Sequence, residues 1–303
     1  MQFFKNTKYN ILGFRKIAIG MSLVFILATV VSIIVHRGLN LSIDFAGGTT
    51  VQMKFDKPVR DELSKIRTSI GGLGYGSPEI KTIGPVDNHE IQITVRNQAE
   101  GKEVVEEMRS VLSKDMGDNS FQVLRVENVG PKVGGELKRD AIIATILSLI
   151  AILVYVGFRF HLPFGVAAVI PLFHDVLITL GIFSFLDLEI SLPFLAAIMT
   201  IVGYSLNDTI VIFDRIRENL KGGLRGRSFA DLVNASINQT LSRTIITSLT
   251  TLFVVAALYI LGSDAIKDFA LALLVGVVAG TYSTIYIASS ILLWWHKKWA
   301  VVK

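Results

Sequence analysis

The chain is 303 residues long, 51% hydrophobic and only 18% charged, with a mean hydropathy of +0.55. A soluble domain carries about 25% charged residues, so a purely soluble enzyme and a disordered chain are both excluded. The net charge of +5 would suit a nucleic-acid partner, but on so apolar a chain excess Lys and Arg mark cytoplasmic loops instead, and no nucleic acid is expected.

The first 37 residues hold a basic leader (Lys5, Lys8, Arg15, Lys16) and a charge-free apolar run over 17–35. A span needs roughly 20 apolar residues, and the run lacks the short core and A-x-A site of a cleaved signal. It is read as a retained first transmembrane helix.

Residues 38–139 hold just over half of all the charged side chains, nearly balanced in sign. Thr49 to Phe55 alternates as a strand, and Leu63, Ile66 and Ile70 fall at helical spacing within 59–70. Short strands follow at 79–83 and 90–96, separated by Gly84-Pro85 and Asp87-Asn88. A second helix is predicted over 101–112 and a last strand over 121–129. The order β-α-β-β-α-β predicts a small α+β domain of the ferredoxin-like kind. It contains no metal spacing, nucleophile constellation or phosphate loop, so binding or mechanical work is expected of it rather than catalysis.

Residues 140–303 supply five more spans, at 141–158, 162–186, 188–213, 244–262 and 270–295. The fold class is thus a polytopic α-helical membrane protein of six spans with one α+β domain. Lys and Arg concentrate in the leader, in the loop 214–243 and in the last residues, with only Lys267 in the short loops 183–191 and 262–269. This places both termini in the cytoplasm and residues 38–139 outside. Within the loop, Ser228 and Asp231 form an imperfect capping box before Phe229, Leu232, Val233, Ile237 and Leu241, a helix expected to lie along the membrane interface. Gly276 and Gly280 suggest a close-packing face, and Trp294, Trp295 and Trp299 an interfacial anchor.

Charged residues inside a span cost roughly 2.5–3.5 kcal/mol each on insertion scales. Asp175, Asp208 and Arg243 therefore need reasons, although a boundary position, snorkelling or structural pairing would also supply one. Asp208 lies 16 residues below Leu192, about 24 Å, and Arg243 lies 18 residues below Leu261, about 27 Å. Opposite charges at matching depth on consecutive antiparallel helices are expected to meet. Asp175 is the deepest charge, with nothing nearby in sequence to neutralise it. His174 projects about 100° away, so the two need not be partners. Asn207, Asp208 and Thr209 form a polar notch that suits either proton access or plain interhelical hydrogen bonding.

The stretches IDFAGGT at 43–49, VGPKVGGEL at 129–137, YVGFRF at 155–160, HDV at 174–176, GYSLNDTIVIFDRIREN at 203–219 and QTLSRTIITS at 239–248 carry a resemblance that covers essentially the whole chain. The sequence resembles the smaller partner in the SecD/SecF family of bacterial protein-export membrane proteins, within the resistance-nodulation-division superfamily. The insert GGLRGRS at 222–228 lies where family members vary in length. The resemblance implies a subunit of the cytoplasmic (inner) membrane that uses proton movement to assist late translocation and release of exported proteins. Implied partners are SecD, the SecYEG translocon with SecA and YajC, an unfolded translocating polypeptide and the lipid bilayer. It places the proton-pathway carboxylate at Asp208 and its arginine at Arg243, with Asn207 beside them; Asp175 and His174 are further candidates. No cofactor, metal or enzymatic reaction is expected. A small-molecule or lipid exporter of the same superfamily, or a purely structural scaffold for SecD, are the competing readings.

Overall fold

The structure is a computed structural model and describes residues 7–59, 62–76, 78–83, 89–96, 101–117, 119–160, 162–224 and 226–300. The Gly84-Pro85 and Asp87-Asn88 punctuation lies outside the described residues, as do the side chains of Lys297, Lys298 and Trp299. Six helices among the described residues are long and apolar enough to cross a membrane. They comprise α1 (Arg15–Val35), α5 (Pro131–Phe160), α6 (Leu162–Phe185), α7 (Leu192–Lys221), α8 (Phe229–Leu261) and a sixth built from α9 (Asp264–Ser283) and α10 (Ser289–Ala300). A π-helical turn at Thr284–Ala288 joins those last two.

Between α1 and α5 lie the one-turn helix α2 (Ile43–Ala46), then β1 (Gly48–Phe55), α3 (Leu63–Gly71), β2 (Glu79–Ile83), β3 (Glu90–Val95), α4 (Gly101–Asp115) and β4 (Phe121–Val129). The strands form one sheet in the order β2-β3-β1-β4, every pair antiparallel. Alternation decides which face is covered. Val51, Met53 and Phe55 of β1 and Ile91, Ile93 and Val95 of β3 all point inward, against Ile66 and Ile70 of α3 and Val104, Met108 and Leu112 of α4. The other face carries Gln52, Lys54, Glu90 and Gln92, and Thr50 meets Thr94 there at 3.0 Å.

Gly47 and Gly48 hold this domain to the helices. Both have positive φ, which only glycine adopts readily. A Cβ at Gly48 would lie 2.5 Å from the Val95 carbonyl, and one at Gly47 2.9 Å from Pro131 Cα. The turn can therefore lie flat on the start of α5.

Several element boundaries differ from the sequence reading: the span read at 141–158 lies within the longer α5, and the one read at 188–213 is α7, which starts only at Leu192 and runs on to Lys221. The helix sought at 59–70 begins at Leu63. The loop helix at 229–241 is not separate and does not lie along an interface, because α8 runs unbroken from Phe229 to Leu261. No glycine or proline interrupts that stretch, so the amphipathic turns and the apolar span fuse. Its stripe of Leu232, Val233, Ile237 and Leu241 packs into a core with Phe160, Phe213 and Ile216. The capping box is present: Ser228 Oγ accepts the Asp231 amide at 3.1 Å and Asp231 Oδ2 accepts the Ser228 amide at 3.2 Å.

Candidate functional site

The polar residues that matter lie where α1, α6, α7 and the sixth helix meet. Gly276 and Gly280 of α9 face Ile201 and Ser205 of α7, the close-packing role their spacing suggested. With the helices so close, hydroxyls from two of them reach one carboxylate on a third.

That carboxylate is Asp175, which is completely buried. Its Oδ2 accepts from Ser205 at 2.7 Å and from Ser283 at 2.9 Å. Its Oδ1 meets His174 Nδ1 at 3.0 Å. The expectation that His174 points away is therefore corrected: neighbouring side chains on a helix diverge at Cβ, but an imidazole is long enough to reach back. His174 Nε2 then meets Ser22 Oγ of α1 at 3.0 Å, and Ser22 meets the Tyr282 hydroxyl at 3.2 Å. Ser283 immediately precedes the π turn. The next residue, Thr284, also points inward, 2.9 Å from Thr209. π turns of this kind are frequent at functional sites.

Asp208 presents the opposite case. It is 2% exposed, yet neither carboxylate oxygen has a hydrogen-bond partner. The buried hydroxyl of Thr244 on α8 and the Tyr204 hydroxyl on α7 are also unpartnered. Most buried polar groups are paired, so each exception calls for an account. Asp208 and Arg243 make no hydrogen bond with each other, although the Arg243 charge lies close enough to act on the carboxyl across the gap. Thr244 is the α8 residue turned inward, and Arg243, 100° round the helix, is exposed. Asn207 is exposed as well, so the notch divides into an outward Asn207 and an inward Asp208 and Thr209.

Sequence reading missed Ser22, Ser205, Ser283 and Tyr282 as members of this centre. The sequence signal that could have found Ser22 is the stripe of small residues Ala18, Ser22, Thr29 and Ser32 in a span rich in bulky ones; these are the buried residues of α1, while its large apolar side chains face outward.

A second polar region lies beyond the C-terminal ends of α1 and α6. A cavity of about 430 Å³ there is lined by His36, Arg37, Asn40, Glu79, Arg96 and Asp187 among others, well away from Asp175 and Asp208. Beside it Lys81 of β2 bridges Glu79 at 2.9 Å and Glu189 at 3.4 Å. Burial pushes the Glu189 carboxyl above its ordinary range, against the pull of the Lys81 charge. Among the described residues no cluster of three or more His, Asp or Glu side chains is arranged to hold a metal.

Residues 109–298 match the family described as Protein export membrane protein SecD/SecF, C-terminal, and residues 32–59 match the SecD/SecF GG Motif. The chain is 45% identical to Protein translocase subunit SecF of Desulfurispirillum indicum, over 94% of this chain and 91% of that one. It is 44% identical to the subunit of the same name from Vibrio alginolyticus, over 89% and 84%. Among solved structures it is similar to SecDF, a translocon-associated membrane protein from Thermus thermophilus, with a TM-score of 0.86 and 38% identity. It is also similar to SecDF in a super-membrane-facing form, at 0.72 and 37%. It covers 98% and 99% of itself in these matches but spans only 40% of each SecDF chain. Motifs, six apolar helices and relatives agree over nearly the whole sequence: the chain belongs to the SecD/SecF family of protein-export membrane proteins.

Proposed function

We propose that this chain is the SecF-type subunit of a SecD–SecF unit that couples proton movement across the inner membrane to late steps of protein export. In this reading both termini are cytoplasmic and residues 38–139 form an outside domain. The strand order β2-β3-β1-β4 and the βαββαβ succession support a ferredoxin-like assignment for it. The domain works on the emerging polypeptide mechanically and makes or breaks no covalent bond. SecD is the direct partner, and the SecYEG translocon, SecA and YajC are the wider assembly.

The observation that carries the proposal is the buried, unpartnered carboxylate of Asp208. A carboxyl without donors is a costly structural element, and a proton that binds and leaves gives it a use. Exposed Asn207 and Arg243, on helices otherwise suited to lipid, favour a second membrane subunit against this face. Arg243 remains protonated throughout, and its approach to Asp208 in one state of the cycle would favour loss of the proton.

The test is export into vesicles containing SecD and either wild type or Asp208→Asn, with and without a proton gradient. The expected result is that the variant assembles normally but loses the response to the gradient. A wild-type response from Asp208→Asn would make the chain a structural scaffold instead.

A further inference from the structure

The network around Asp175 contains enough donors and acceptors to locate its protons. Tyr282 donates its hydroxyl proton to the Ala18 carbonyl at 2.6 Å, since a carbonyl can only accept. The Ser22–Tyr282 contact at 3.2 Å is then a hydrogen bond only if Ser22 donates. With its proton so used, Ser22 Oγ is an acceptor toward His174 Nε2 at 3.0 Å, and Nε2 must carry hydrogen. On the far side, Ser205 donates to Oδ2 of Asp175 at 2.7 Å, and Ser283 donates to the same oxygen at 2.9 Å in preference to the Gly280 carbonyl at 3.2 Å. That leaves Oδ1 to face Nδ1 of His174 at 3.0 Å, and a hydrogen bond between those atoms needs one proton on the line joining them.

The proton has two placements. Either a neutral carboxylic acid donates to a neutral imidazole, or a carboxylate accepts from an imidazolium. Moving between them shifts the proton from Oδ1 to Nδ1 and leaves the pair without net charge in both. The competing tautomer has hydrogen on Nδ1 only and an ionised Asp175. It forfeits the Ser22–Tyr282 bond and leaves a net negative charge where the two residues are 0% and 6% exposed, which burial penalises. The groups facing the pair are Ser22 from α1, Ser205 from α7, and Tyr282 and Ser283 from α9. None of them is a charged residue, and Asp208 lies three residues along α7 from Ser205.

We propose that His174 and Asp175 form a proton-holding dyad, a site separate from Asp208, whose protonation is tied to the position of α1 through Ser22. Release of the shared proton to water leaves the pair with one negative charge, and its return restores neutrality. After that release the Nε2 hydrogen moves to Nδ1, where it meets the carboxylate, and Nε2 accepts from Ser22 instead. Ser22 then gives up its bond to Tyr282, one of the two that hold α1 to the sixth helix at this level, and α1 leads on to the β-sheet domain. The proton placement stands independently; its use in export rests on the proton-coupling reading.

The placement is tested on the full chain in lipid vesicles by nitrogen NMR of labelled histidine, with the His174 signals assigned by their loss in His174→Gln. The expected spectrum has Nε2 protonated and Nδ1 in a strong hydrogen bond that weakens in Asp175→Asn. A His174 with bare Nε2 overturns the proposal. The second arm measures gradient-driven export with SecD present. Asp175→Asn reproduces the protonated acid, since its amide can donate to Nδ1 and its carbonyl can accept from both serines. It should assemble normally yet slow export about tenfold or more, as loss of a positioned proton carrier does. His174→Gln, which keeps a donor near Ser22 but no place for the shared proton, should do the same. Export at the wild-type rate from either assembled variant reduces the dyad to a structural pin and overturns its proposed role. If Asp208→Asn and wild type both ignore the gradient, the coupling reading fails while the NMR arm still decides the proton placement.

Discussion

Gly276 of α9 lies against Ile201 of α7 so closely that a Cβ built on the glycine would stand 2.2 Å from Ile201 Cδ1. Ile201 is fully buried, so its side chain has no free space to turn into. Gly276→Ala should therefore destabilise the helix bundle by about 1–3 kcal/mol, the usual cost of overpacking. Thermal unfolding in detergent measures it. Combining it with Ile201→Ala should recover part of the loss, because residues in contact are not additive; full additivity of the two losses would show that the contact is not the cause.

Asp208→Asn should leave thermal stability unchanged or raise it, the reverse of the usual effect of a buried polar substitution. The carboxylate has no donors to lose, and an amide is cheaper to bury than a charge. Ser205→Ala should behave in the opposite way and cost about 1.5–3 kcal/mol, since it strips a donor from the buried Asp175 carboxylate. Parallel melting of the two variants separates a carboxyl without donors from one held by them, and a large loss of stability in Asp208→Asn would count against the proton role.

Tyr75 gives the β-sheet domain a high-pH signature. Its phenol donates to Glu107, and that hydrogen bond, with smaller help from burial and the negative charges nearby, holds its pKa up to about 12. A raised phenol contributes stability that is complete below its ordinary value of about 10 and is lost as pH climbs through the raised one. Tyrosinate absorbance should include a step near pH 12 that is absent in Tyr75→Phe. The stability difference between wild type and variant should narrow from pH 10 upward.

The proposed topology is open to direct labelling, because the chain has no cysteine of its own. Gln122→Cys on β4 and Leu224→Cys beyond α7 both occupy exposed positions. A membrane-impermeant maleimide added outside intact cells should label the first and spare the second. The reverse pattern would invert the whole arrangement.

The sheet domain was legible because alternation is a local signal: Val51-x-Met53-x-Phe55 and Ile91-x-Ile93-x-Val95 announce their buried face without reference to anything distant. The spans were legible for the same reason. The polar centre was not, because Asp175 takes its donors from Ser205 and Ser283, 30 and 108 positions away, and isolated serines have no periodicity. The depth estimate for Asp208 and Arg243 used rise per residue and ignored rotation. At 100° per residue, the step from Arg243 to Thr244 decides which of them faces α7. The fused α8 was missed because a change from mixed to apolar composition resembles a boundary even where the backbone has no reason to break.

One joint at the top of α7 has a mechanical meaning. Asp44, in the single turn before β1, accepts the Leu192 amide at 3.0 Å, while Ser42 and Ile190 are bonded at 3.0 Å and Ile190 and Asn40 at 2.7 Å. Only three residues separate Asp44 from the first residue of β1, and the turn is pressed onto α5 at Gly47. No slack chain exists there to absorb movement. With Asp208 about 24 Å along the rod from this fulcrum, a sideways shift of about 4 Å at the carboxylate turns α7 by about 10°. A strand fixed to that fulcrum would turn with it, so the four-residue turn that seats the domain is placed to act as a crank.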